Sequence, residues 1–185
     1  MVEAITHRDD QEAEKIPSGT WNELVGSDSS RLFLFESDLA SSLRRVPLAV
    51  RRKLDRCDIH LSLMGWQRMS KVARTELLSL PADSVCERRY YITRLQQLLR
   101  ATGRGDELSN RSSETHSEWL DLTRVPEAVQ EELARARPDL NLSLAGWVAL
   151  SELERFALVK LSRPGHANRG FGLLVAEVLE SDDRE

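Results

Sequence analysis

Cys57 and His60 stand three residues apart in Cys57-Asp-Ile-His60, and two such ligands are how a metal site begins. A structural zinc site needs four ligands in tetrahedral reach, usually from two tight pairs. Cys86, His116 and His166 are scattered and supply no second pair. No metal and no cofactor are therefore expected, and Cys57 reads as a small core residue. A Cys57–Cys86 disulfide is not expected in a cytoplasmic chain. The sequence contains no nucleophile elbow, no phosphate-cradling glycine loop and no paired metal-binding histidines. Its serines fall at helix-cap positions, and His60 reads as exposed and inert. The chemistry points away from an enzyme.

Charge says more. Between Arg44 and Arg100 basic residues far outnumber acids, with Arg44, Arg45, Arg51, Arg52, Lys53 and Arg56 closest together. Downstream, Glu127, Glu131 and Glu132 stand where Leu48, Arg52 and Lys53 stand upstream. The two surfaces are either solvated faces, or attract one another across an internal interface. In a functional reading, the basic surface receives an acidic partner or an anion. Arg163-Pro-Gly-His166-Ala-Asn168 is the other candidate. It follows a helix C-terminus, where cations suit the helix dipole, and it combines Arg, His and Asn on one loop.

The elements that must position these residues are written twice. Trp66 pairs with Trp147, Ser70 with Ser151, Arg74 with Arg155, Leu77 with Leu158 and Leu80 with Leu161, all at one offset. Upstream, Val46-Pro47 through Leu54 answers Val125-Pro126 through Leu133 at an offset two residues shorter, the difference falling in a loop. Such self-similarity reads as an internal duplication.

In chain order, Phe33 and Phe35 share one side of an extended segment. Ser37 or Asp38 caps a helix to about Arg45, and a second helix restarts at Val46-Pro47, because the residue before proline avoids helical geometry. Its core stripe is Val46, Val50, Leu54 and Cys57, matched by Val125, Val129, Leu133 and Ala136. Ser62 and Ser143 cap short helices carrying the tryptophans, and Ser70 and Ser151 cap the next. Trp66, Met69, Val72, Leu77 and Leu80 point inward, as do Trp147, Leu150, Leu153, Leu158 and Leu161. Pro81 and Pro164 stop these helices. Ser84 with Glu87 opens a helix to about Ala101, with Val85, Ile92, Leu95, Leu98 and Leu99 inward. The last helix buries Phe171, Leu174, Val175, Val178 and Leu179.

The expected architecture is all-α, with two tandem helical repeats packed as one compact domain. A disordered arm (1–30, containing Trp21) precedes repeat one (31–101), a linker (102–117), repeat two (118–180) and a frayed tail (181–185). With 185 residues, 41% hydrophobic and 30% charged, the chain has an ordinary soluble composition. Its net charge of −4 argues against non-specific nucleic-acid binding by the whole chain. No apolar run reaches the roughly 18 residues of a membrane span. The acidic first residues carry no signal-peptide apolar stretch, so a cytoplasmic location is expected.

The pattern resembles the nitrate reductase-associated protein family. The resemblance is carried by Phe33-Leu-Phe35-Glu36-Ser-Asp38, Val46-Pro47 through Val50-Arg51, Lys53-Leu54-Asp55, Leu61-Ser-Leu63 and Trp66. It continues in Trp119-Leu-Asp121, Val125-Pro126, Trp147, Arg155-Phe-Ala-Leu158 and Lys160 through Pro164, with His166 and Asn168. It runs from about Leu32 to Val178. Arg45 departs from a frequent cysteine of the family, and Asp58 from a frequent glycine. The resemblance implies a non-enzymatic accessory or assembly factor that supports an assimilatory nitrate reductase in nitrate assimilation by protein–protein binding. The surface expected to bind is Arg44, Arg45, Arg51, Arg52 and Arg56, with Arg163, His166 and Asn168. Reversing Arg51 and Arg52 to Glu is expected to spare the fold. A nucleic-acid-binding regulator using the basic helix after Pro47 is the alternative.

Overall fold

The computed structural model describes residues 30–37, 42–103, 108–110, 118–163 and 169–180. The expected arm (except Ser30), Trp21 and the tail at 181–185 lie outside them. The described chain is mostly helical, as expected. Its helices are α1 (Leu48–Arg56), α2 (Leu63–Arg68), α3 (Lys71–Ser79), α4 (Val85–Ala101), α5 (Glu127–Ala136), α6 (Leu144–Ala149), α7 (Glu152–Leu161) and α8 (Arg169–Val178). Two 3-10 turns, Leu34–Glu36 and Glu118–Leu120, precede α1 and α5.

The caps follow the serines. Ser62 and Ser143 accept from the Gly65 and Gly146 amides at 2.9 and 3.1 Å, and Ser70 accepts from Ala73 at 3.1 Å. Ser84–Glu87 and Ser151–Glu154 each form the reciprocal capping box. Pro47 and Pro126 are N-caps with no side-chain acceptor to offer, so α1 and α5 begin one residue after each proline. For α1 the missing acceptor comes from afar: the Glu36 carboxylate accepts the Leu48 amide at 2.9 Å and the Phe33 amide at 3.3 Å. Burial pushes that carboxyl upward, and the two amides pull it back.

Two cores meet at α1. The first surrounds Trp66 and contains Val50, Leu54, Leu77, Tyr91, Leu95 and Leu99; the second surrounds Trp119 and Trp147 and contains Leu153, Phe156, Leu158, Phe171 and Leu174. Helix α1 serves both, giving Val50 and Leu54 to the first and Leu48 and Ala49 to the second. It packs against α3, α7 and the strand that follows it.

Several expectations are corrected. Residues 34–36 form a 3-10 turn rather than an extended run; Phe33 and Phe35 do share a side, with their rings stacked 5.7 Å apart. The helix expected to reach Arg45 does not, because Leu43 takes φ +47° and residues 43–47 are non-helical; residues 38–41 lie outside the described chain. Part of the stretch expected to link the repeats is a strand. Leu108–Asn110 pairs antiparallel with Ile59–Leu61, placing Leu108 opposite Leu61, because a strand burying Ile59 and Leu61 needs an edge partner. Val72 and Val85 are exposed at 79% and 64%. In α3 the buried pair is Ala73 and Leu77, and in α4 the seam runs Tyr91, Leu95, Leu99 at four-residue spacing; both valines lie off these lines. Ala136 is exposed at the last turn of α5, and Cys57 is only half-buried. Pro164 lies outside the described residues.

The pairs Trp66/Arg74 and Trp147/Arg155 make similar hydrogen bonds. The Trp66 indole N–H donates to the Leu43 carbonyl at 2.6 Å, and Arg74 Nη1 donates to the same oxygen at 3.0 Å. In the second half Trp147 Nε1 donates to the Asp121 carbonyl at 2.8 Å and Arg155 Nε to that of Trp119 at 3.0 Å. Each Trp and the Arg eight residues later clamp the backbone that leads into a proline-capped helix. Two donors on one carbonyl also account for the left-handed backbone of Leu43, a conformation costing about 1–2 kcal/mol for a leucine. Asp58 is left-handed too, at φ +52°. That is a place for glycine, and aspartate tolerates it better than most residues.

Two stability changes follow. Arg155→Met should cost on the order of 3 kcal/mol, since it strips charged donors from buried carbonyls. Tyr91→Phe should cost nothing or stabilise, because the buried Tyr91 hydroxyl has no hydrogen-bond partner. Urea unfolding of both variants measures each sign.

Candidate functional site

The nominated basic residues divide into three groups. Arg52 and Arg56 are drawn into the seam between the halves. Arg52 Nη1 lies 2.8 Å from Glu152 and 3.0 Å from Asp83, and Arg56 Nη1 lies 2.9 Å from both oxygens of Glu152. Arg52 is only 3% exposed. One turn on, Asp55 accepts from Lys160 of α7 at 2.7 Å. Glu152 of the second half thus takes two arginines of the first half's basic helix, and Lys160 returns a cation to Asp55, which is the internal attraction that the charge pattern allowed. The acids are not the expected ones. Glu132 is buried against Arg135 of its own helix, while Glu152, at the start of α7, takes two arginines. A carboxylate there also suits the positive end of the helix dipole.

This placement overturns one expectation outright. Arg52→Glu would set a buried carboxylate beside Glu152 and Asp83, so reversing Arg51 and Arg52 would not spare the fold. It also removes the grounds for a nucleic-acid helix after Pro47, since Arg52 and Lys53 point inside.

Arg44 and Arg45 form the second group and are exposed on the clamped loop. Gln67 Nε2 donates to the Arg44 carbonyl at 3.1 Å, tying the loop to the tip of α2. Arg68 and Lys71 are exposed at the following turn.

The third group lies at a cleft of about 380 Å³. Arg51 and Asp55 come from α1, His60 from β1 (Ile59–Leu61), and Lys160 and Arg163 from the end of α7. Val46, Leu54, Ile59, Leu61 and Leu63 complete its wall. Arg51 Nε donates to the Val46 carbonyl at 3.1 Å, and Arg163 approaches Glu118 at 3.8 Å. Two regions far apart in sequence, Arg51 and Arg163, are thereby brought to one place. His166 and Asn168 lie outside the described residues.

Lys53 went unnoticed as more than one basic residue among several. It has no exposed surface, and its ammonium donates to the Leu78 carbonyl at 2.6 Å, near the end of α3 where carbonyls lack helical partners. Burial, aided by the neighbouring Arg52, brings its pKa down to about 7. Burial likewise pushes the Cys57 thiol up to about 11. Among the described residues no cluster of three or more His, Cys, Asp or Glu is placed to hold a metal, and both cysteines are free thiols. No helix among the described residues is long and apolar enough to cross a membrane.

Lys53 has a pH consequence. Its folded pKa lies below its unfolded value, so the unfolded chain binds the extra proton and stability grows with rising pH. Between pH 7 and 9 the gain should be on the order of 2 kcal/mol. Above pH 9 Cys57 and Tyr91, both held protonated by burial, act in the opposite direction. Urea unfolding at pH 7, 8 and 9 should show the rise in the natural protein and a flat profile in Lys53→Met.

Among known proteins, the profile described as conserved nitrate reductase-associated protein matches residues 32–178. No curated protein matches the chain, and no solved structure does.

Proposed function

The chain belongs to the conserved nitrate reductase-associated protein family, and from that premise we propose that it is a non-enzymatic accessory or assembly factor for an assimilatory nitrate reductase, acting in the cytoplasm. It binds an acidic surface of the enzyme through the exposed cations of its first half. The observation that supports this reading is the clamped loop. Arg44 and Arg45 are exposed, yet the backbone beneath them is held by Trp66, Arg74 and Gln67. A charged surface already fixed in place loses little conformational entropy on docking. Charges of one sign at a rim also steer encounter and set the register of a complex. Arg51 and Arg163, at the cleft, belong to the same positive side of the proposal, as do His166 and Asn168. Arg52 and Arg56 support it indirectly, by holding the two halves together.

The test is co-purification of tagged protein with the source organism's own nitrate reductase, with reductase activity measured with and without it. Arg44→Glu with Arg45→Glu should weaken binding by more than about tenfold, a loss of roughly 1.4 kcal/mol or more, and leave the melting temperature unchanged. Affinity of the unaltered pair should fall as salt rises. Unchanged binding by the double variant would remove this loop from the interface. Absence of any complex, with activity unaffected, would remove the accessory role itself.

A further inference from the structure

The short helices of Trp66 and Trp147, α2 and α6, both carry exposed apolar side chains. On α6, Leu144 and Val148 stand one turn apart, and the buried Trp147 between them donates its indole N–H to the Asp121 carbonyl at 2.8 Å. That bond brings Leu120 and Leu122, the neighbours of Asp121, up to the same helix. All four are between 43% and 47% exposed. Single exposed leucines need no explanation, but large apolar side chains gathered at one place mark a contact surface. Beside them is a cleft of about 310 Å³ lined by Glu118, Asp121, Arg124, Pro126, Glu127 and Ala128. Asp121 accepts there from Thr123 and from Arg124 Nε at 3.1 Å, and Glu118 lies 3.8 Å from Arg163. Glu127 is exposed and has no partner among the described residues. The Arg124 side chain is 78% exposed and engages through Nε, leaving its two terminal nitrogens open among those residues.

We infer that two copies of this chain associate around a two-fold axis through Leu120, Leu122, Leu144 and Val148, with Arg124 of each meeting Glu127 of the other. A two-fold contact needs a surface that complements itself, so that each residue meets its counterpart's partner reciprocally. One open carboxylate and one open guanidinium at the edge of an uncharged patch meet that condition. The patch on α2 does not. Leu63 and Met64 are exposed there, but Gln67 ties that helix to the loop of Arg44 and Arg45, and a two-fold pair would set arginines against arginines. Four half-exposed side chains offer on the order of a few hundred Å² per copy, so the pair belongs to the small, transient class of interfaces and forms as concentration rises. The surface lies in the second half and shares none of these six residues with the cations proposed to meet the reductase.

The experiment is sedimentation equilibrium of the full chain from micromolar to near-millimolar loading. The natural chain should pass from monomer to dimer and stop there. Leu144→Lys and Val148→Lys should each raise the dissociation constant about tenfold or more while keeping the melting temperature. Arg124→Glu and Glu127→Arg should each weaken the dimer when alone. An equimolar mixture of those two variants should recover it, because both contacts of the mixed pair then set acid against base. Misfolded variants would show no such recovery. Arg44→Glu with Arg45→Glu should dimerise as the natural chain does, which separates this contact from the reductase reading. A monomer at every loading would overturn the inference, as would growth past the dimer or a dimer untouched by the four patch variants. A monomer whose complex with the reductase is lost on Leu144→Lys would assign the patch to the enzyme instead.

Discussion

Helix α1 is buried on two sides, and most of the structure answers to that constraint. A helix of nine residues carrying Arg51, Arg52, Lys53, Asp55 and Arg56 cannot enter a protein interior unless its charges are matched there. Glu152 and Asp83 match Arg52, Glu152 matches Arg56, Lys160 matches Asp55, and the Leu78 carbonyl receives Lys53. Glu36, from the segment before it, accepts the amide that its proline cap leaves unsatisfied. Partners therefore arrive from both halves and from the N-terminal side. Such matching contributes less to net stability than its number of contacts suggests, since desolvation offsets much of the attraction. These pairs favour the register of α1 against α7 that brings Arg52 and Arg56 to Glu152 and Lys160 to Asp55.

The tryptophans solve a different problem. Each of the helices α1 and α5 is preceded by an X-Pro step, where the backbone is non-helical and its carbonyls have no local partner. An indole N–H and a guanidinium from the following Trp helix and its successor supply the donors in both halves. The same device holds Arg44 and Arg45 outward on a loop that would otherwise be free to move. Structure made for packing thus also determines which cations reach solvent.

Burying some arginines changes the meaning of those that remain. A run of basic residues looks in sequence like one broad positive face. In the fold it is a seam, a clamped loop and a cleft, three environments with three physical roles. Both the seam and the cleft draw on the two halves, the cleft through Arg51 on one side and Lys160 and Arg163 on the other.

The sequence by itself determined what depends on neighbours within a turn or two. Serine caps, capping boxes, the helices following each proline, the buried tryptophans and the all-α class were all legible, because each rests on local hydrogen bonding or on helical spacing. The family, too, was legible from its motifs. Only the tertiary structure decided the rest. That Leu108–Asn110 becomes a strand depends on the exposed edge of Ile59–Leu61, far away in the chain. That Val72 and Val85 face solvent, while Tyr91 is buried, depends on where each helix meets its neighbours, a shift of a residue or two that composition does not encode. Which arginines are spent internally was likewise undecided, since Glu152 is one acid among many until α7 is laid against α1. Periodicity tells a helix which face is apolar; it cannot tell a charge which partner will come to meet it.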